Sequence, residues 1–336
     1  MIYPKVSIII STYNRSKFLP HAIESALAQD YLNLEIIVSD DASTDDTQEV
    51  IKKYLNEPNF KYFRNGKNLG VSYNLRRALH NYSKGDWVLF LSDDDYLSDL
   101  SYISKAVELI KSDSNIVLVF ANFKIYHVYY NIFEDTNIIL PNVIDGKWAF
   151  YNFWTKKFLG VGSLTALVNR KKAIEVDAFG RNIIGSDTEL WLKLFLLGKV
   201  GFIRDLVAVY RLHGNNQILQ IDLEKNFKNF DGIKEAANFA VSLGFGKYKI
   251  KNWAREKIEI SLNRILNLIL EEGTFNDLKQ FFLKVHNEKL DDYLISFLNI
   301  KVFIRMTFFV INPKLPKIMK HIYKTYFRRK RYRKSL

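Results

Sequence analysis

Trp87-Val88-Leu89-Phe90-Leu91-Ser92-Asp93-Asp94-Asp95-Tyr96 decides how the rest of the chain is read. A short, unbroken apolar run of this kind makes a fully buried strand, and this one stops at three adjacent carboxylates. Like charges so close repel one another at the end of a buried strand unless they are solvated, protonated or neutralised by a cation. A hard divalent metal carrying phosphate oxygens meets that demand. A solvated acidic turn leading into the next helix is the alternative.

The segments before it repeat the pattern. Val6-Ser7-Ile8-Ile9-Ile10 is a β-branched run followed by the polar loop Ser11-Thr12-Tyr13-Asn14-Arg15, and Phe18, Leu19, Ile23, Ala26 and Leu27 then fall at helical spacing. Glu35 to Ser39 is a second buried strand ending in Asp40-Asp41. Ser43 with Asp46 predicts a capping box for a helix whose apolar face carries Val50, Ile51 and Tyr54. Phe60 to Arg64 reads as a third strand. Asn65-Gly66 and Asn68-Leu69-Gly70 mark the turn before a helix with Leu75, Ala78, Leu79 and Tyr82.

Strands alternating with helices predict an α/β fold with a doubly wound, mainly parallel sheet. Ligands of such sheets bind beyond the carboxyl ends of the strands. The loop at Ser11 to Arg15, the pair Asp40-Asp41 and the triple acid all follow strand ends, so all three should line one edge. Farther on, a helix is expected over 99–112, a strand at Ile116 to Ala121, and irregular strands and loops from Asn122 to about Tyr151. Ser163 to Val168 reads as a strand and the segment from Asp187 as a helix. Two short strands are expected at Phe202-Ile203 and Val207 to Tyr210, and helices from Asp222.

The chain has 336 residues, no cysteine and a net charge of +13. Without cysteine there is neither a disulfide framework nor a thiolate site, as suits a reducing compartment. The first residues enter a strand too soon for a secretory signal, and no window is long and apolar enough to span a bilayer. These features predict a cytoplasmic protein. Twelve Lys or Arg and no acid follow Asp292, so the excess charge belongs to a tail and the body is almost neutral. From Leu315 the apolar residues Leu315, Ile318, Met319, Ile322, Tyr323, Tyr326 and Phe327 form one stripe among Lys and Arg. The expectation is an amphipathic helix lying peripherally on an anionic membrane surface, against an ordinary packed helix with a disordered end. No nucleic acid is expected, because the aromatics lie on the stripe and are not interleaved for base stacking.

The motifs Val6 to Asn14, Val38 to Thr47, Asn68 to Ser72, Ser92 to Asp95, Ser186 to Trp191 and Tyr210 to His213, in that order, resemble the family-2 inverting glycosyltransferases of GT-A fold, of the bacterial surface-polysaccharide type. The resemblance covers roughly residues 4 to 216. It implies a GT-A domain over 1–216, a C-terminal helical extension over 217–300 and the basic tail over 301–336. It further implies a nucleotide-diphospho-sugar donor, UDP-linked for preference, with Mn²⁺ or Mg²⁺, and a glycan or polyprenyl-linked acceptor.

By the same resemblance Ser11 and Asp41 bind the nucleobase, a carboxylate suiting the imide N–H of uracil, with the neighbouring Tyr13 and Asn14 reaching the ribose. Arg15 stands near base or phosphate, and Asn68 and Gly70 flank the nucleotide. Asp93 faces the ribose or uracil side, Asp94 holds the metal and Asp95 is a second ligand or a support, although strand alternation would point Asp93 and Asp95 the same way. Asp187 is the implied catalytic base, with Glu189 supporting it and Trp191 either flooring the acceptor pocket or filling the core. His213 is implied to bind diphosphate or metal, and Arg211 phosphate. Three departures stand out: Ser92 where a first acid is common, Arg76 where Asn is common, and Ser186 where Glu usually precedes the base. The rival readings are a catalytically silent nucleotide-sugar-binding or membrane-scaffold protein and an NAD-dependent oxidoreductase. The second lacks the G-x-G-x-x-G that should follow the first strand. A processive synthase is disfavoured by the lack of membrane spans and of a Q-x-x-R-W motif.

Overall fold

The computed structural model describes residues 3–214, 216 and 220–295. The expected basic tail therefore lies outside the described residues. The first half alternates as read: β1 (Val6–Thr12), α1 (Leu19–Leu27), β2 (Leu34–Asp40), α2 (Thr47–Ile51), β3 (Phe60–Arg64), α3 (Val71–Arg77) and β4 (Trp87–Ser92). A short β5 (Tyr96–Leu97) leads into α4 (Tyr102–Ser112) and a long β6 (Ile116–His127). There follow β7 (Ile132–Asp135), β8 (Val143–Ile144), α5 (Gly146–Asn152), β9 (Leu167–Asn169), α6 (Arg170–Glu175), α7 (Ser186–Phe195) and β10 (Lys199–Leu212).

Among the described residues these strands form one sheet in the order β3-β2-β1-β4-β9-β6-β10-β5, with β7 beside β6 and β8 beside β10. β3, β2, β1 and β4 are parallel. β9 enters antiparallel between β4 and β6, so the sheet is mixed on that side. The parallel strands are near-continuous apolar runs because both faces are covered: Ile8, Ile10, Ile36, Val38, Leu89 and Leu91 lie in the core with Leu19, Ile23, Ile103 and Val107 of the flanking helices.

Several expectations are corrected. The two short strands before His213 are one, because the exposed Arg204-Asp205 lies at a register shift within a continuous β10. The segment called irregular begins with the second half of β6, which pairs with β7 as an antiparallel hairpin. Ser163 to Thr165 is a 3₁₀ turn, and only Leu167–Asn169 is extended. Ser43 does not cap α2: its hydroxyl accepts from the Asn14 amide at 2.9 Å, while Asp45 receives the Thr47 amide at 3.1 Å.

The described residues form two compact units, one of residues 3–216 with Asn238–Leu243 and the other of residues 220–237 with 244–295. The C-terminal part is helical, with α8 (Leu223–Ser242), α9 (Lys247–Glu272), α10 (Phe275–Asn287) and α11 (Asp291–Ile295). In the second unit Phe227 meets Phe281 edge-on at 6.0 Å, and α10 starts with a reciprocal Thr274–Asp277 capping box.

One buried charge supports the sheet. Glu35, 2% exposed, accepts from Ser7 Oγ at 2.7 Å, the Lys84 amide at 2.6 Å and Lys61 Nζ at 2.9 Å, with Lys5 Nζ at 3.0 Å. Burial pushes its carboxyl up, but the bonds from Lys61, Ser7, Lys84 and Lys5 outweigh it and hold the group at about 2, below its ordinary 4.5. A depressed carboxyl adds stability that is fully present above pH 4.5 and disappears as pH falls through about 2. The shift corresponds to a contribution of at most about 3 kcal/mol. Urea unfolding of wild type and Glu35→Gln should therefore show the variant less stable at pH 7 and the difference closing below pH 3.

Candidate active site

Parallel pairing brings the polar strand ends together. Ser11 of β1 lies level with Ser39 of β2 and Ser92 of β4, and Thr12 with Asp40. The three polar clusters therefore share one edge, where a parallel sheet leaves room for a ligand.

Asp93, Asp94 and Asp95 are 6%, 7% and 2% exposed, so the acidic tip is enclosed. The three side chains separate. Asp93 lies toward β1, 3.8 Å from Arg15 Nη1. Asp94 pairs with Arg15 and places Oδ2 3.1 Å from His213 Nε2. Asp95 turns to β10, where Oδ1 accepts the Arg211 amide at 2.9 Å. Asp93 and Asp95 thus do not point the same way, because the chain leaves the strand in a turn in which the Asp95 amide donates back to Ser92 O.

Burial, then the neighbouring Asp94 charge, raises the Asp93 carboxyl to about 7 against the opposing pull of Arg15. Burial and Asp94 also lift Asp95 well above the ordinary range. The cluster is short of positive charge despite Arg15 and Arg211.

Arg211 and His213 are held by stacking as well as by hydrogen bonds. His213 stacks on Phe18 at 5.0 Å, and the Arg211 guanidinium lies 5.0 Å from the Phe18 ring and 5.5 Å from that of Tyr96. Asn216 fixes the turn: its Oδ1 accepts the His213 amide at 2.6 Å and its Nδ2 donates to Arg211 O at 3.1 Å. The imidazole is thereby presented to Asp94.

On the other side, Asp41 is committed to the loop that precedes α3. Its Oδ1 accepts from Asn65 Nδ2 at 2.8 Å and the Leu69 amide at 2.9 Å, and its Oδ2 accepts the Gly70 amide at 2.8 Å. Asn68 Oδ1 also receives the Gly70 amide at 2.9 Å. Gly70 has φ +84°, a conformation that favours glycine. Asn65 Oδ1 is buried with no hydrogen-bond partner among the described residues, an arrangement that a ligand or water completes. Tyr13 is 45% exposed at the rim. Asn14 ties two loops together, its Oδ1 accepting the Thr44 amide at 2.7 Å.

Asn74 is the residue that reading by pattern misses. Wholly buried on α3, it donates to Ser11 Oγ at 2.9 Å and Ser39 O at 2.8 Å, and accepts from Ser39 Oγ at 2.7 Å and Asn65 Nδ2 at 2.9 Å. Arg76, suspected of replacing a donor-binding Asn, instead pairs with Asp177. Replacing Asn74 by Leu would leave several buried groups unpaired, each worth about 1–3 kcal/mol. Urea unfolding should show a stability loss of about 3 kcal/mol or more. Sequence reading gives Phe18, Tyr96, Asn65 and Asn216 no part in the site; Phe18 figures there as an apolar position at helical spacing, Tyr96 as the end of the acidic stretch and Asn65 as a turn residue.

Asp187 lies in the first turn of α7. Its side chain is half-buried, and burial raises the carboxyl above its ordinary range against bonds from Thr188. Glu189 is spoken for, accepting from Arg181 Nη1 at 2.7 Å and Lys193 Nζ at 2.6 Å. Trp191 is 1% exposed and is a core residue. Ser72 Oγ to Ser186 Oγ at 3.0 Å joins the α3 start to the α7 start, and Asn182 packs against Gly70. These contacts tie the segment that carries the implied base to the loop implied to flank the nucleotide.

Mn²⁺ or Mg²⁺ fits the chemistry of the tip. Asp94 and His213 meet at 3.1 Å, Asp95 keeps one oxygen clear of the Arg211 amide, and the three buried acids outnumber the two guanidinium groups, Arg15 and Arg211, set against them. Among the described residues no three His, Cys, Asp or Glu side chains form a ready cage. The expected trio Asp94, Asp95 and His213 is not brought together, since Asp95 is drawn to β10. Hard cations commonly complete their shell with substrate phosphates and water.

The mixed sheet, with its acidic strand end facing a basic and aromatic platform, defines a glycosyltransferase of GT-A fold. The chain belongs to glycosyl transferase family 2, whose model matches residues 7–176. It is 30% identical over 243 residues to the GalNAc(5)-diNAcBac-PP-undecaprenol beta-1,3-glucosyltransferase of Campylobacter jejuni, covering 70% of this chain and 73% of that one. It is 26% identical to the UDP-Glc:alpha-D-GlcNAc-diphosphoundecaprenol beta-1,3-glucosyltransferase WfaP of Escherichia coli, covering 68% and 87%. In fold it is similar to S. aureus TarS 1-349 in complex with UDP-GlcNAc, with a TM-score of 0.66, 16% identity, and coverage of 94% of this chain and 91% of that one.

Proposed function

We propose that this glycosyltransferase is inverting and metal-dependent, takes a UDP-sugar, and transfers it to a hydroxyl of a polyprenyl-diphosphate-linked glycan in surface polysaccharide synthesis. The observation that carries this reading is the convergence of Asp94, Arg15 and His213 on one buried, charge-deficient strand end. The activities of the two relatives, both named for undecaprenol-linked substrates, support the acceptor class. The catalytic domain corresponds to residues 1–216.

Asp94 and His213 would hold the metal, with Asp95 in support; bound there, it neutralises charge building on the diphosphate as a Lewis acid. Arg15 and Arg211 add fixed positive charge beside it. Ser11, Asp41 and the Asn68–Gly70 loop frame the base, with Asp93 toward the ribose. Asp187 takes the proton of the attacking hydroxyl. The new bond forms between that oxygen and the anomeric carbon while the carbon–oxygen bond to the diphosphate breaks, and UDP leaves with the electron pair on the opposite face. The raised Asp187 carboxyl strengthens it as a base. The basic tail is proposed to keep the enzyme on the cytoplasmic membrane surface near its lipid-linked substrate; among the described residues no helix is long and apolar enough to cross a membrane.

The test is transfer from UDP-Glc, UDP-Gal, UDP-GlcNAc and UDP-GalNAc, with Mn²⁺, to GlcNAc-diphospho-undecaprenol, with the new linkage read by NMR. A β-linked product from one α-linked donor supports the reading. An α-linked product, or no transfer and no hydrolysis of any of the four, overturns it.

A further inference from the structure

The hairpin that follows β6 exposes what a soluble sheet normally hides. Val128, Tyr129, Tyr130, Ile132 and Phe133 are 37%, 78%, 49%, 41% and 51% exposed within six residues. Clustered exposed apolar side chains of this kind mark interaction sites. The hairpin is held in shape: Tyr126 stacks on Phe133 at 4.6 Å, its hydroxyl donates to Asn131 Oδ1 at 2.9 Å, and Asn131 adopts the left-handed conformation that closes the turn. A preformed surface binds without an added ordering cost.

Its position gives the patch a purpose. β6 runs level with β10 to the pair His127–Leu212, so the tip stands beside His213. A Cβ built on Gly214 would come within 2.7 Å of Tyr129 Oη, which places the Tyr129 ring tip over the backbone next to His213. The aromatic patch is thus continuous with the rim of the proposed diphosphate site, on the side away from the Asp41 and Asn68–Gly70 loop.

We infer that the Val128–Phe133 hairpin is the platform on which the acceptor glycan stacks, with Tyr129 and Phe133 meeting the sugar-ring faces; this rests on the transferase reading above. Tyrosine suits such a partner, offering an apolar face and a polar tip with little flexibility to lose. A bilayer is the less suitable occupant. Membrane-surface elements pair aromatics with an excess of Lys and Arg, whereas on this hairpin Glu134 and Asp135 of the return strand face His127 and Lys124 and leave no such excess.

The test uses the full chain and the probe GlcNAc-diphospho-undecaprenol in detergent, with saturation-transfer NMR for binding and steady-state kinetics for transfer. Tyr129→Ala with Phe133→Ala should raise the acceptor KM ~10-fold or more, a change of about 1.4 kcal/mol, and abolish saturation transfer to the sugar protons. UDP affinity and hydrolysis of the UDP-sugar in the absence of acceptor should be unchanged, which separates this result from a failure of the donor site. Tyr129→Phe should keep wild-type KM. An unchanged KM in the double variant, or no saturation transfer to the sugar with the wild type, overturns the inference. So does loss of sedimentation with phosphatidylglycerol vesicles while KM is unaltered, which would make the hairpin a membrane contact.

Discussion

Asp187→Asn should lower kcat about a thousandfold, within the 10²–10⁴ that a positioned general base contributes, while UDP binding and folding stay intact. The substitution keeps the shape and the oxygen that accepts the Thr188 amide, and removes only the capacity to take a proton. It should not destabilise the protein, because burial already disfavours the charged carboxylate. A melting temperature at pH 7 equal to or above that of wild type therefore accompanies the loss of turnover. The pH profile gives a second reading. A raised carboxyl must be deprotonated to act, so kcat/KM should fall as pH drops through a value above the ordinary 3.8, and Asp187→Asn should show no such limb. The structure also separates Asp187 from its neighbour: Glu189 is locked between Arg181 and Lys193, so Glu189→Gln should act on stability more than on chemistry.

Asp94→Asn should have an effect as large by another route. Asp94 is the one member of the acidic tip that touches both Arg15 and His213. Losing its charge removes the main carboxylate expected to hold a metal, and kcat/KM should fall by about three orders of magnitude, or ~4 kcal/mol of transition-state stabilisation. Unlike Asp187→Asn, it should weaken UDP binding in the presence of Mn²⁺. It should also lower the Asp93 carboxyl from about 7, since the Asp94 charge is, after burial, the main reason for that value. The Asp93 titration followed by NMR is thus a readout independent of turnover. Phe18→Ala, which removes the ring beneath His213, should give a milder loss with the same signature.

The parts of the fold that sequence discloses are those where one physical rule dominates. Val6 to Thr12, Leu34 to Asp40 and Trp87 to Ser92 are buried on both faces, so each is an apolar run that can only be an inner strand, and their polar ends fall together once the strands are parallel. Less was legible where tertiary contacts override local pattern. β10 looks like two strands because Arg204-Asp205 interrupts it, yet pairing with β6 carries it through. Asn74 looks like any polar helical residue until two strand ends, at Ser11 and Ser39, and the Asn65 amide are found around it. Asp41, proposed to frame the base, also bonds with the loop before α3, a partner about thirty residues distant that no spacing rule joins to it. The hairpin at Val128–Phe133 lies within the segment read as irregular strands and loops, because its aromatics show no clear alternation although they stand in water.

The central claim is that the acidic end of β4 binds the donor's diphosphate through a divalent cation. Calorimetric titration of UDP into the protein, with Mn²⁺ and then with EDTA, tests it most directly. The account predicts tight binding with Mn²⁺, at least tenfold weaker binding in EDTA, and no metal dependence in Asp94→Asn. Equal UDP affinity with and without metal in the wild type, left unchanged by Asp94→Asn, would contradict it.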